Sequence, residues 1–112
     1  MERAWQYVRE HDEELAALAK ALAHRARVKI LRLLMERGED ACICGDICAQ
    51  LPLAQSTISQ HLKMLRESGL IRARCDGPRV CYYVDNERLA RLRQLLADLL
   101  SPTDEGLEGA LG

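Results

Sequence analysis

Aromatic residues are scarce in this sequence: phenylalanine is absent, and Trp and Tyr together make up 4% of the 112 residues. The apolar content of 48% is therefore carried chiefly by Leu and Ala, which favour helices. The length suits a single domain, and its core is small enough that a dimer interface would add useful buried area. We therefore expect one mainly helical domain.

Long apolar runs are also missing. No uninterrupted stretch approaches the ~20 apolar residues that a membrane-spanning helix needs. The first residues, MERAWQYVREHDEEL, carry charges throughout and contain no signal-peptide core. We therefore predict a cytoplasmic protein without a membrane partner. In that reducing compartment, five cysteines favour metal binding or redox chemistry over structural disulfides.

The chain has no large excess of either charge, since its formal net charge is -1. The charges are nevertheless unevenly distributed. Residues 53–83 hold five basic and two acidic side chains, whereas residues 84–112 hold three basic and six acidic ones. A local positive surface of this kind is typical of a segment that contacts nucleic acid.

Signatures of catalysis are lacking as well. No cysteine is followed by an arginine six residues later, which excludes the phosphate loop of cysteine phosphatases and arsenate reductases. A glycine-rich phosphate loop and a carboxylate pair in an apolar setting are also missing. We therefore predict that the protein is not an enzyme.

The periodicity of apolar residues predicts an order of helices followed by a hairpin and a last helix. The predicted elements are a helix over 4–16, an apolar helical pattern over 18–34 ending at Arg37-Gly38, a short helix over 44–51, a helix over 55–68, strands over 71–75 and 80–84, and a last helix from the N-cap Asp85 to Ser101-Pro102. This order indicates a winged helix-turn-helix domain over 1–100, mainly α with a small β-hairpin wing. Residues 101–112 are predicted to be a disordered tail, and the N- and C-terminal helices are predicted to form a homodimer.

The helix over 55–68 has the pattern of a DNA recognition helix. Ile58, Leu62 and Leu65 recur on one side, and the first turns are polar. Gln can bond adenine bidentately, Ser and Thr can bond bases or phosphates, and basic wing residues can reach the backbone. The predicted contacts to double-stranded DNA are Gln55, Ser56, Thr57, Ser59, Gln60, His61, Lys63, Arg72, Arg74 and Arg79. For His61 two roles stay open, a phosphate contact and packing against the turn.

A cysteine cluster, Cys42, Cys44 and Cys48, lies shortly before this helix. Thiolates bind soft ions such as trivalent arsenic and antimony, cadmium-like ions or Cu(I). Cys44 and Cys48 share one face of a helix, and Cys42 can join them only if the helix begins near Cys44 or unwinds there, which Gly45 makes easier. We predict that binding distorts the helix that supports the recognition helix.

Two further cysteines, Cys75 and Cys81, flank the predicted wing turn. They could face each other across the hairpin as a second thiol pair, supply a ligand to the first cluster, or simply be small buried residues. A different input is also open, in which Cys44, Cys75 or Cys81 is a reactive thiol and the protein responds to peroxide or persulfide. A third reading is a metal-storage or zinc-stabilised module that does not bind DNA.

Four segments together resemble the ArsR/SmtB family of metal-sensing bacterial repressors. They are LAKALAHRARVKILRLL over 18–34, the C-x-C at 42–44, STISQHLKMLRESGLI over 56–71 and GPRVCYYV over 77–84. The resemblance spans roughly residues 15–100 and is greatest for the arsenic-responsive type. It implies a dimeric winged-helix repressor that needs no cofactor to bind DNA and leaves its operator when As(III), Sb(III) or another thiophilic metal ion binds.

The chain departs from this family in three places. Ala54 stands where the family often has a serine that caps the recognition helix, a change that weakens the cap by about 1 kcal/mol. The cysteines are spaced C-x-C-x-x-x-C, so the third thiolate is displaced by one residue from the arsenic-type motif. The last helix has no histidine, so the family's Asp/His zinc or nickel site is not expected.

Overall fold

The computed structural model describes residues 10–38, 47 and 49–101. Over these residues the architecture is mainly helical with a two-stranded antiparallel hairpin, as predicted. The elements are α1 (Glu10–Leu22), α2 (Arg25–Arg37), α3 (Gln55–Glu67), β1 (Ile71–Asp76), β2 (Arg79–Val84) and α4 (Asn86–Leu100). Of the predicted helix over 44–51, Ile47 and Ala49 are helical and Gln50 lies in a turn, while residues 44–46 and 48 lie outside the described residues. The predicted tail beyond Ser101 also lies outside them.

The first two helices divide at a different place from the one predicted. The apolar pattern from Leu18 to Leu34 suggested one helical stretch, but α1 ends at Leu22 and α2 begins at Arg25. His24 is the N-cap of α2, with extended backbone at φ −159°, and its Nδ1 accepts a hydrogen bond from the Ala26 amide at 3.0 Å. An imidazole acceptor thus does what Ser or Asp does at other helix starts.

The core forms where α1, α2 and α3 meet the wing and α4. Ile58, Leu62 and Leu65 line the back of α3 and are at most 1% exposed. Leu18 of α1 and Ile30 of α2 are equally buried and belong to the same cluster. The predicted apolar side of the recognition helix is therefore confirmed as its core-facing side.

A tight corner ends α3. The Ser68 hydroxyl donates to the Leu65 carbonyl at 2.6 Å and accepts from the Leu70 amide at 3.2 Å. Gly69 has φ +85°, a conformation that side chains rarely adopt, and a Cβ there would lie 3.3 Å from the Arg88 Nε. Arg88 itself donates from Nε to the Ser68 carbonyl at 3.2 Å, so the start of α4 is fastened to the end of α3.

Glu14 connects the two terminal helices of the described chain. Its carboxylate accepts hydrogen bonds from Arg91 at 2.7 and 3.0 Å and from Arg88 at 3.4 Å. The bond from Arg91 is the main reason that the pKa of Glu14 lies below its usual value. The last turns of α4 carry Leu96, Leu99 and Leu100, which are 38%, 62% and 73% exposed. Exposed apolar side chains of this kind at the end of α4 are what the predicted dimer requires.

None of the helices in the described ranges is both long and apolar enough to cross a membrane.

Removing the Leu65 side chain tests the dependence of α3 on its buried face. Because Leu65 is 0% exposed, Leu65→Ala should lower the free energy of unfolding by about 2–5 kcal/mol in urea denaturation. The neighbouring Met64 is 37% exposed, and Met64→Ala is the matched control with an expected loss below about 1 kcal/mol. Equal losses for the two variants would contradict this orientation of the helix.

Candidate nucleic-acid interface

The solvent side of α3 carries the polar residues that the sequence marked as DNA contacts. Because a helix turns by 100° per residue, burial of Ile58 and Leu62 turns the residues on the opposite side of α3 outward. The exposed predicted contacts are Gln55, Ser56, Thr57, Ser59, Gln60 and Lys63. At 13 residues the helix is about 20 Å long, and its width suits the major groove of B-DNA. The structure thus brings these side chains onto one surface suited to base contacts.

The N-terminus of α3 has no side-chain cap. Ala54 occupies the N-cap with φ −65° and ψ 148° and makes no side-chain hydrogen bond to the first turn, as the sequence predicted. The first-turn amides therefore keep donor capacity at the end of the helix whose dipole is positive. A phosphate oxygen could accept from them if the helix enters the groove by this end.

His61 lies on the flank of α3 rather than on its outer face. It is half-buried, and its ring contacts that of His24, with centroids 4.3 Å apart and planes at 42°. Burial, followed by the positive charges of His24 and Arg27, lowers the pKa of His61 below its ordinary value. Of the two predicted roles, packing against the neighbouring turn is the one visible in the structure, and the phosphate contact stays a prediction.

The three predicted wing arginines differ in their surroundings. Arg72 donates from Nε to Asp85 Oδ2 at 2.7 Å, and this ion pair raises the pKa of Arg72. Asp85 also caps α4 by accepting from the Arg88 amide at 3.1 Å, and this bond, followed by Arg72, lowers the pKa of Asp85. Arg74 and Arg79 are exposed. Arg72 therefore helps to hold the wing to α4, while Arg79 at the wing tip is better placed to reach DNA.

The two wing cysteines do not form the predicted pair. In the hairpin register Arg74 is opposite Cys81 and Cys75 is opposite Val80, so the two cysteines point to opposite faces. Cys75 is an exposed free thiol, whereas Cys81 is 2% exposed and disulfide-bonded. Of the alternatives left open for these cysteines, the register excludes a pair facing each other across the hairpin, because their spacing of six residues spans a turn that shifts them by one register position.

The predicted metal ligands Cys42, Cys44 and Cys48 lie outside the described residues. Across 10–38, 47 and 49–101, no three His, Cys, Asp or Glu side chains come together in a way that could hold a metal ion. The cysteine site therefore stays a prediction.

Sequence analysis missed two arginines that join α3 to its neighbours. Arg88 contacts the Ser68 carbonyl, and Arg27 is half-buried near His61, with its Nη1 donating to the Lys20 carbonyl at 3.4 Å. Both lie in the first turn of a helix, where a basic residue opposes the helix dipole. This unfavourable placement was the feature of the sequence that could have indicated contacts of both arginines with other elements.

Comparisons with known proteins agree with this geometry. Residues 24–73 match the family model described as bacterial regulatory protein, arsR family. An HTH-type transcriptional regulator of Methanocaldococcus jannaschii is 36% identical over 87 residues, covering 78% of this chain and 96% of the relative. A homodimeric winged helix-turn-helix DNA-binding domain from Mycobacterium bovis, solved in solution, is 35% identical with a TM-score of 0.60, covering 77% of this chain and 80% of that one.

One further relative has a named role in arsenic resistance. The arsenical resistance operon repressor of Escherichia coli is 48% identical over 65 residues. The match covers 58% of this chain and 54% of the repressor, so it spans about half of that protein.

The different surroundings of Arg79 and Arg72 predict different effects on binding to duplex DNA. Arg79→Gln should lower affinity for any duplex and reduce the slope of log affinity against log salt by about 0.9, which is the loss of one phosphate contact. Arg72→Gln should change this slope less and should instead lower the thermal stability, because it removes the partner of the α4 cap. Fluorescence anisotropy over a salt series and thermal unfolding measure the two effects. Identical slopes for both variants would refute the distinction.

Proposed function

This chain belongs to the arsR family of bacterial transcriptional regulators, and from that premise we propose that it is a repressor released from its operator by trivalent arsenic or antimony. The proposed ligands of the inducer are the thiolates of Cys42, Cys44 and Cys48. The observation that carries this assignment is the 48% identity to an arsenical resistance operon repressor over 65 residues. Cadmium-like ions and Cu(I) prefer the same soft ligands and are the alternative inducers.

The DNA-binding half of the proposal rests on α3 and on symmetry. One face of α3 is polar and exposed, the other is buried, and its N-terminus is open to a phosphate. The relative from Mycobacterium bovis is a homodimer, and α4 of this chain leaves Leu99 and Leu100 exposed for a comparable contact. Two recognition helices related by a two-fold axis would bind two half-sites about one helical turn of DNA apart.

The proposal that trivalent arsenic or antimony is the inducer rests on thiolate chemistry and on the burial of Ile47. As(III) and Sb(III) are soft ions for which thiolates are the preferred protein ligands. Ile47, between Cys44 and Cys48 in the sequence, is 5% exposed and packs in the same cluster as Ile58 and Leu62 of α3. When the thiolates of Cys44 and Cys48 bind one ion, the backbone around Ile47 is constrained, and Ile47 supports the recognition helix. A change in operator affinity of about 1–3 kcal/mol is the typical size of such coupling between sites.

Arsenite titration of the reduced protein bound to labelled DNA from upstream of its gene tests this proposal. Arsenite should release the wild-type protein, and Cys44→Ser should bind the DNA normally but stay bound in arsenite, because one thiolate of the site is lost. Cys75→Ser is the matched control and should release like wild type, since Cys75 is an exposed free thiol on the wing. Release of Cys44→Ser by arsenite would show that the inducer site lies elsewhere.

The state of Cys81 favours a second candidate function, a thiol-based redox switch. Cys81 is almost completely buried and disulfide-bonded, and Cys75 is not its partner. Peroxide could form such a bond by oxidising two thiols to one disulfide while it is reduced to two molecules of water. Because β2 belongs to the wing, this bond would restrain an element expected to contact DNA.

Oxidation of the DNA complex separates the two candidate functions. If the protein is a redox switch, peroxide should release the wild-type protein, dithiothreitol should restore binding, and Cys81→Ser should stay bound in peroxide. Peptide mass spectrometry of the oxidised protein should then identify the cysteine joined to Cys81. Unchanged DNA affinity after complete oxidation would reject this candidate and leave arsenite release as a separate question.

A further inference from the structure

The start of α2 and the flank of α3 together form a basic cluster, of which the DNA contacts predicted above include only His61. The cluster consists of His24, Arg27 and His61. His24 and His61 are in ring contact at 4.3 Å, and the positive charge of Arg27 acts on His61. The charged groups that act on His61 are His24 and Arg27, both from the start of α2, and no carboxylate of the described residues is among them. The positive charge of Arg27 beside the two imidazoles would attract an anion to this cluster.

The hydrogen-bonding capacity of Arg27 is incompletely used. Its Nη1 reaches the Lys20 carbonyl at 3.4 Å, but its Nε is buried and has no hydrogen-bond partner among the described residues. A buried, unpaired donor on a charged group is costly, and such groups usually have a partner in the functional state. The missing partner must be an acceptor, because guanidinium nitrogens only donate.

The tautomer of His24 points to the same kind of ligand. Its Nδ1 accepts from the Ala26 amide, so in the neutral ring the proton is on Nε2. That nitrogen is therefore a donor, and no ring lone pair is left for a metal ion. His24 is exposed and can offer this donor to an incoming group. The His24 imidazole and the Arg27 guanidinium thus present N–H groups, which suits an anionic oxygen and disfavours a metal.

The place of the cluster on the recognition surface identifies the anion. His61 lies one turn after Thr57 on the same helix, at the border between the exposed face and the core. When a helix lies in the major groove, its outer face meets the bases and its flanks meet the sugar–phosphate walls. We infer that Arg27, His24 and His61 bind a backbone phosphate of the operator, and that His61 takes up a proton as this phosphate arrives.

This inference gives α2 a role in DNA binding and extends the predicted contact set to Arg27 and His24. It rests on DNA binding alone and is independent of the arsenic or redox input. A phosphate here would anchor α2 and α3 to the same strand, fixing the angle at which α3 enters the groove. Such contacts position the protein and carry no sequence information.

Proton uptake follows from the environment of His61. In the free protein, burial and the nearby positive charges hold the pKa of His61 below its ordinary value, and a bound phosphate would raise this pKa. The complex then binds more protons than the free protein, so DNA affinity rises as the pH falls towards the pKa of free His61. For a single linked proton the affinity changes by at most about tenfold per pH unit.

The first experiment compares salt and pH dependence of DNA binding among four proteins. They are the wild type, His61→Gln, Arg27→Gln and the control Arg32→Gln, which removes the same charge from an exposed position of α2. The ligands are a duplex of roughly 30 base pairs from upstream of the gene and a duplex of random sequence. Anisotropy is measured over a salt series at about pH 6, 7 and 8, and circular dichroism checks that each variant is folded.

We expect Arg27→Gln to weaken binding to both duplexes equally and to reduce the salt slope by about 0.9, as one lost phosphate contact requires. His61→Gln should reduce the several-fold gain in affinity that the wild type shows between about pH 8 and about pH 6.

Should Arg27→Gln fail to fold, the result for His61→Gln still decides whether the cluster binds a phosphate. Binding by His61→Gln with the same salt slope and pH dependence as Arg32→Gln would overturn the inference, as would a wild type that binds neither duplex.

A second measurement distinguishes DNA phosphate from free phosphate and detects the proton directly. Calorimetry of DNA binding in two buffers of different ionisation enthalpy should show net proton uptake near neutral pH, smaller in His61→Gln. Inorganic phosphate at matched ionic strength should leave the His61 imidazole NMR signals unchanged, whereas the duplex should shift them. A shift with inorganic phosphate and none with duplex would reassign the cluster to a small anion and reject the operator contact. Arsenite release is not used here, so a failure of the arsenic proposal would leave this result intact.

Discussion

The burial of one face of α3 is the constraint from which the remaining structure follows. A helix of 13 residues is marginal by itself in water, and Ala54 gives its first turn no side-chain cap. Ile58, Leu62 and Leu65 are nevertheless at most 1% exposed, so contact with α1 and α2 supplies the stability that local interactions lack. Once these three side chains point inwards, the helix period fixes which polar residues point outwards. The surface proposed to meet DNA is thus a consequence of core packing.

Two polar contacts then hold the helix in place beyond its apolar face. At its C-terminal end, Arg88 donates to the Ser68 carbonyl and also reaches Glu14. On its flank, the ring of His61 rests against His24, which itself caps α2. The first contact connects α3 to the terminal helices, and the second connects it to α2. Movement of either neighbour would therefore be transmitted to the recognition helix. Such coupling between elements is the physical requirement for a regulator that responds to a distant ligand.

Local signals in the sequence located most element boundaries correctly. Gly38 and Gly69 have positive φ where helices were predicted to end, and Asp85 caps α4 as expected. Apolar periodicity continues across His24, so it does not show where α1 ends and α2 begins, and the break is visible only in the imidazole N-cap. The placement of the wing cysteines stayed open because strand register depends on the turn, and a shift of one position exchanges the two faces of a strand. Arg72 was assigned to DNA from its charge, but its charge is partly engaged by Asp85.

The amino-acid sequence alone specifies the helical class, the hairpin, the polar and apolar sides of α3 and the family, because these depend on residue type and spacing along one element. Tertiary structure decided the contacts between elements. It placed Cys81 in the interior and Cys75 in solvent, joined Arg72 to Asp85, and brought Arg27 and His24 beside His61. Such contacts depend on how helices and strands pack in three dimensions, and residues as far apart in the sequence as His24 and His61 carry no local signal that they will meet.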